Sequence, residues 1–214
     1  MNRKYMLILI AILGALIVFT RPLDQLLPLL LAIPGLILAI TFHEFAHAKT
    51  AELLGDHTPR SQGRISLNPV KHVSLLGLVA LFTVRVGWGK PVMVNPNNFT
   101  KIKNKKIGEA LVAVAGPITN FLIAFFITLG YDLLLKNNVS FGDGNTAVII
   151  HGIITIMISV NLGLAIFNLL PIPPLDGFSV FALILPKGMK EQIENNQLII
   201  SVIFLVLILA RNII

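Results

Sequence analysis

The chain has 214 residues, 55% of them hydrophobic and only 13% charged, with a mean hydropathy of +0.84. Those values exclude an ordinary soluble globular domain and indicate a polytopic membrane protein, with no room for a large soluble partner domain. The net charge of +7 does not imply nucleic acid, because the basic residues cluster between apolar runs, where cytoplasmic loops meet anionic headgroups.

Asn2-Arg3-Lys4 precedes an apolar run over residues 6–20, closed by Arg21-Pro22. No small-x-small cleavage site follows, so residues 1–28 read as an uncleaved first membrane helix with its N-terminus in the cytoplasm. A second span, over residues 29–49 with Pro34-Gly35 as a kink site, returns inward. Next come most of the cations, from Lys49, Arg60, Arg64, Lys71, Arg85 and Lys90 to Lys101, Lys103, Lys105 and Lys106. Their density makes this loop cytoplasmic. Within it, residues 73–84 are apolar but too short to cross, and fit a re-entrant or interfacial segment. Residues 86–95 combine Gly, Pro and β-branched types that suit a strand or hairpin, with Trp88 at headgroup level. Further spans cover residues 107–135 and 146–170, joined by a weakly charged outer loop. Pro171, Pro173 and Pro174 then forbid a regular helix. Residues 178–185 suit a short helix, 187–196 are polar, and 198–214 form a last span, so that 187–214 end the chain in a helix. The expected fold is an all-α polytopic membrane protein. It has about five to six membrane segments, with a re-entrant or β-hairpin interfacial segment after the second helix. One domain covers 1–214, with a core of about 29–186.

The second span contains His43-Glu44-Phe45-Ala46-His47. Ionisable groups at membrane depth cost several kcal/mol each, so three together need a reason. On a helix the two histidines stand one turn apart on one face, with Glu44 on the neighbouring side. That arrangement suits two imidazoles on one zinc ion, with a carboxylate beside the water the metal activates. The chain has no cysteine, so any further ligand is His, Asp or Glu. Asp176 is the candidate, in Asn168-Leu-Leu-Pro-Ile-Pro-Pro-Leu-Asp176-Gly177, where prolines free the carboxylate to turn toward a neighbouring helix. By the topology above, Asp176 and His47 lie at the same depth.

These motifs, in this order, resemble the site-2 protease family of intramembrane zinc metalloproteases (peptidase family M50), in its small form without PDZ or CBS modules. The HEFAH run matches the family's HExxH, and NLLPIPPLDG matches its second motif. Gly116-Pro117-Ile118-Thr119-Asn120, opening the third long span, resembles its GPxxN element. The stretches at Gly63–Pro69 (GRISLNP) and Trp88–Pro96 (WGKPVMVNP) resemble loops of its small prokaryotic branch. The resemblance implies one Zn2+ per chain on His43, His47 and Asp176, with Glu44 as the catalytic base. Asn168 would lie near the substrate as an oxyanion donor, and Asn120 would contact the substrate backbone. Substrates would be single-pass transmembrane proteins or remnant signal peptides, cut near the cytoplasmic face of a prokaryotic plasma membrane. The strand-like residues 90–94 would hold an unwound substrate by edge pairing.

The bland alternatives are a structural polar cluster for the histidines, a helix cap for Asp176, and interhelical hydrogen bonding for Asn168 and Asn120. His57, His72 and His151 read as solvent or interface residues. His72 receives no role, because the Asp-Pro that often follows the loop histidine in the family is Val73-Ser74 here. Asn161 reads as bundle glue. The alternative function is a non-proteolytic membrane metal carrier or a membrane-protein-binding scaffold; neither needs Glu44 as a base.

Overall fold

A segment in lipid must satisfy its own backbone polar groups, so long apolar runs become helices. A computed structural model describes Ile12 and residues 23–84 and 87–210 of the chain. In order, its elements are α1 (Leu23–Leu53), α2 (Thr58–Ser61), α3 (Pro69–His72), α4 (Leu75–Val84), a 3-10 turn (Pro96–Asn98), α5 (Lys105–Lys136), α6 (Asn145–Asn168), α7 (Asp176–Phe181), α8 (Lys187–Asn195) and α9 (Gln197–Ala210). The architecture is all-helical, as expected. Three of these helices, α1, α5 and α6, are long and apolar enough to cross a membrane. Even the 24-residue α6 reaches about 36 Å, against a hydrocarbon core of about 30 Å. Large apolar side chains stay exposed along them, among them Phe121, Phe125 and Phe126 on α5 and Val148 on α6. Hydrocarbon is the medium that tolerates such surfaces. The protein is an integral membrane protein. The first span expected at residues 6–20 lies, apart from Ile12, outside the described residues.

The chain divides into two compact units, and the three long helices each contribute to both. The first unit comprises Met1–Thr41, Leu67–Pro91 and Ile123–Asn161. Here the expected short apolar segment forms α4, whose 10 residues extend only about 15 Å. The expected strand or hairpin does not form among the described residues. Val73 and Gly89 make one isolated antiparallel bridge, and the Lys90 N–H donates to the His72 carbonyl at 2.6 Å. Pro91 follows at once and has no N–H to extend a ladder. His72 is fully buried, contrary to the solvent or interface position expected for it. It ends α3, where the Val73 bridge and the Lys90 hydrogen bond fold residues 89–90 back onto it. His151, half-buried, is hydrogen-bonded to the Tyr131 hydroxyl and packed on the Phe141 ring. Asn161 is buried, its amide donating to the Met157 carbonyl at 2.9 Å.

The second unit comprises Phe42–Ser66, Val92–Leu122 and Leu162–Ile214. In it the chain leaves the end of α1 through Gly55, whose φ of +106° is a left-handed conformation that favours glycine. The Gly55 N–H bonds Glu52 O and the Asp56 N–H bonds Ala51 O, each at 3.0 Å, which is the Schellman pattern. A small core of Ala51, Phe99 and Val112, flanked by Leu54, Val94 and Ile102, packs this helix end against α5 and the segment before it.

Candidate metal centre

Every group of the site belongs to the second unit. His43 and His47 sit one turn apart on α1, both buried, with ring centroids 4.6 Å apart in an edge-to-face arrangement. Each ring is fixed by its far nitrogen. His43 Nδ1 lies 2.6 Å from Asn120 Oδ1, and His47 Nδ1 lies 2.7 Å from the Val112 carbonyl oxygen. Carbonyl oxygens only accept, so each Nδ1 carries the hydrogen and donates it. In the neutral rings both Nε2 atoms then present lone pairs.

Those lone pairs face a third. Asp176 Oδ2 lies 3.1 Å from His43 Nε2 and 3.4 Å from His47 Nε2, buried and without a hydrogen-bond partner. One ligand atom from each of the three side chains falls within 4.8 Å of the others. Three electron-rich atoms at that spacing repel one another unless a proton or a metal cation lies among them. Tetrahedral zinc with bonds of about 2.0–2.1 Å requires ligands about 3.3–3.4 Å apart, close to the distances found. The residues fit the metal.

The neighbouring helices shape this pocket through glycine. GPITN was expected to open the third long span; it lies instead in the interior of α5, with Pro117 inside the helix. A Cβ on Gly116 would stand 2.5 Å from His47 Nε2 and 2.7 Å from His43 Nε2, so any side chain there would occupy the ligand space. Asp176 is the first residue of α7, with Leu175 before it as the N-cap. A Cβ on the following Gly177 would collide with the Leu169 and Leu170 carbonyls, so the chain after α6 can close this tightly only on glycine.

Glu44 stands beside the histidines, and its Oε2 accepts from the Val92 N–H at 3.2 Å. Asn168 ends α6, with its amide donating to the Leu164 carbonyl at 3.0 Å. Asn120, expected either at the substrate backbone or in an interhelical hydrogen bond, is fully buried and makes such a bond with His43 of α1. Two participants escaped sequence reasoning: Val92, which contributes only its backbone, and Asp56. The signal for Asp56 was a Gly-Asp-x-Thr run just past a helix end, which favours an Asx turn. Burial works against charge on Asp56. Hydrogen bonds from Thr58, Asn95 and Asn98 outweigh it and hold the carboxyl below the usual aspartate range.

A curated protein of Bacillus subtilis (strain 168) named "Putative zinc metalloprotease YwhC" is 36% identical over 175 residues, 80% of this chain and 77% of that one. The chain belongs to peptidase family M50. A family model described as Peptidase family M50 matches residues 135–210, which include Asp176. Two further relatives named "Putative zinc metalloprotease Rip2" also match. The one from Mycolicibacterium smegmatis is 33% identical over 163 residues, and that from Mycobacterium tuberculosis H37Rv 32% over 155. These matches take 74% and 70% of this chain but only 58% and 55% of the relatives. No solved structure matches the chain. As a member of M50, the protein is a zinc metalloprotease, and His43, His47 and Asp176 form a cluster that could hold a metal ion.

Proposed function

We propose that the protein cleaves membrane-spanning substrates within the bilayer, near the cytoplasmic face of a prokaryotic plasma membrane. The observation that carries this reading is the lone-pair cluster of His43, His47 and Asp176, built on a helix apolar enough to cross a membrane. The dense basic loop following α1 supports the cytoplasmic placement of the site.

His43, His47 and Asp176 would hold the zinc, which would supply Lewis acidity for making water nucleophilic near neutral pH and polarising the scissile carbonyl. Glu44 takes the proton from the attacking water on its carboxylate and returns it to the leaving amine. The Val92 N–H steadies one carboxylate oxygen of Glu44, leaving the other to handle the proton. Asn120 and Val112 keep both imidazoles in the tautomer that binds metal. Asn168 has a second amide hydrogen, which serves the developing oxyanion, a contribution of about 3 kcal/mol for such donors. Substrates are single-pass transmembrane proteins or remnant signal peptides. A substrate helix must unwind before its carbonyls can be attacked, and residues 90–94 would offer backbone for the unwound stretch.

The test is Glu44→Gln in purified, zinc-loaded protein. Zinc content should stay at one per chain while cleavage of a single-pass substrate falls by a factor of about 100 or more, the scale of general-base loss. Cleavage that survives the substitution refutes the role of Glu44.

A further inference from the structure

Asp56 is fully buried in the turn after α1, and no step above uses it. Its carboxylate is nevertheless saturated with donors. Oδ1 accepts from the Thr58 N–H at 3.0 Å, the Thr58 hydroxyl at 2.5 Å and Asn98 Nδ2 at 3.0 Å, while Oδ2 accepts from the Asn95 N–H at 2.7 Å. The two Thr58 bonds build the local turn. The Asn95 and Asn98 bonds reach 39 and 42 residues along the chain. Hydrogen bonds to a buried carboxylate are among the stronger kind, so this is a firm joint between the end of α1 and the segment before α5. A second tie lies next to it: the Leu54 carbonyl accepts from the N–H groups of Thr100 and Lys101, each at 3.0 Å. Just upstream of Asn95, Val94 packs on the Ala51, Phe99 and Val112 core, and Val92 gives its N–H to Glu44.

We infer that Asp56 is a positioning residue for the reaction: it locks residues 92–98 in register with α1, so that the Val92 N–H holds Glu44 in its working orientation. Without the lock, Val92 drifts and the Glu44 carboxylate is free to change rotamer, although the metal ligands are untouched. The inference rests on Glu44 being the base.

The experiment uses full-length, zinc-loaded protein in detergent, with a single-pass membrane substrate. Wild type, Asp56→Asn, Val92→Pro, the double variant and Glu44→Gln are compared for kcat, KM and zinc content. Because the chain has no cysteine, a Val94→Cys substitution gives a clean labelling site for a maleimide probe, made with and without Asp56→Asn. Asp56→Asn keeps the shape but cannot accept on both sides. The expected result is a kcat lower by about tenfold or more and labelling faster by a similar factor, the scale of a lost hydrogen bond to a charged group. KM should stay within about twofold, and zinc should remain at one per chain. Since both single variants act through the same contact, the double should lose little more than the worse single. Labelling unchanged by Asp56→Asn overturns the inference, as does faster labelling with unchanged kcat. Losses that multiply in the double variant, or a change confined to KM, overturn it too. Should Asp56→Asn fail to fold, Thr58→Ala and Asn98→Ala each remove one side-chain donor and should show the same pattern on a smaller scale. Faster labelling in both without loss of kcat is then the overturning result. Glu44→Gln separates the two proposals. If it cleaves like wild type, Glu44 is not the base and both fall; if it is inactive while Asp56→Asn is fully active, only the positioning role falls.

Discussion

Each imidazole of the centre is oriented by a partner that never touches the metal space, so the cheapest way to weaken the site is to release a ring. Asn120→Ala removes the acceptor for His43 Nδ1. Zinc affinity should fall by about 10–100-fold, the usual cost of losing such an orienting partner. Competition against a chromogenic chelator measures it, and an affinity within twofold of wild type would refute the assignment. Gly116→Ala attacks the same space from α5, because its methyl would meet both rings. Metal content after dialysis should drop well below one per chain while the helices persist by circular dichroism. Asp56 adds a pH dependence whose sign follows from its lowered pKa. The folded carboxyl holds its charge below the ordinary aspartate value of about 3.9, so its stabilisation is complete above that value and is lost as pH falls through the lower folded pKa. Metal-free wild type should therefore lose more thermal stability than metal-free Asp56→Asn between about pH 5 and pH 2.

Among elements, the link from α6 to α7 is the tightest constraint, since Gly177 abuts two backbone carbonyls at its turn. Gly177→Ala should displace Asp176 and destabilise the zinc-loaded protein by about 1–3 kcal/mol, the usual cost of overpacking, visible in a thermal melt. The elements also show what a sequence can carry. The long helices α1, α5 and α6 were legible because an apolar run in lipid has one way to close its hydrogen bonds. The clustering of His43, His47 and Asp176 was legible because the i, i+4 spacing of the histidines and the proline-broken approach to Asp176 are local signals. The strand expected over residues 86–95 does not form among the described residues: β-branched types suit an extended chain, but with Gly89 and Pro91 there it makes only one bridge. The placing of Asn120 was not legible either. Whether an asparagine on α5 meets substrate or His43 depends on helix rotation, which packing decides. Burial of His72 arises from a chain return through Lys90 that no nearby residue announces.

For the whole molecule, metal and fold are linked through mass action. Removing zinc with a chelator should lower the melting temperature in detergent, and free zinc at a hundred times its dissociation constant should restore about 2.7 kcal/mol. Asp176→Ala should abolish the difference between chelated and zinc-loaded samples; a melt that ignores zinc in wild type would contradict the linkage. The unit that carries the centre is stitched from three separate stretches of sequence, contributing His43 and His47, then Val112, Gly116 and Asn120, then Asp176. A ribosome releases these in turn, and the carboxylate comes last. A nascent chain halted before α7 would thus own both imidazoles and their props yet lack the anion that completes the cage. Full ion capture would then have to wait until α7 has been made.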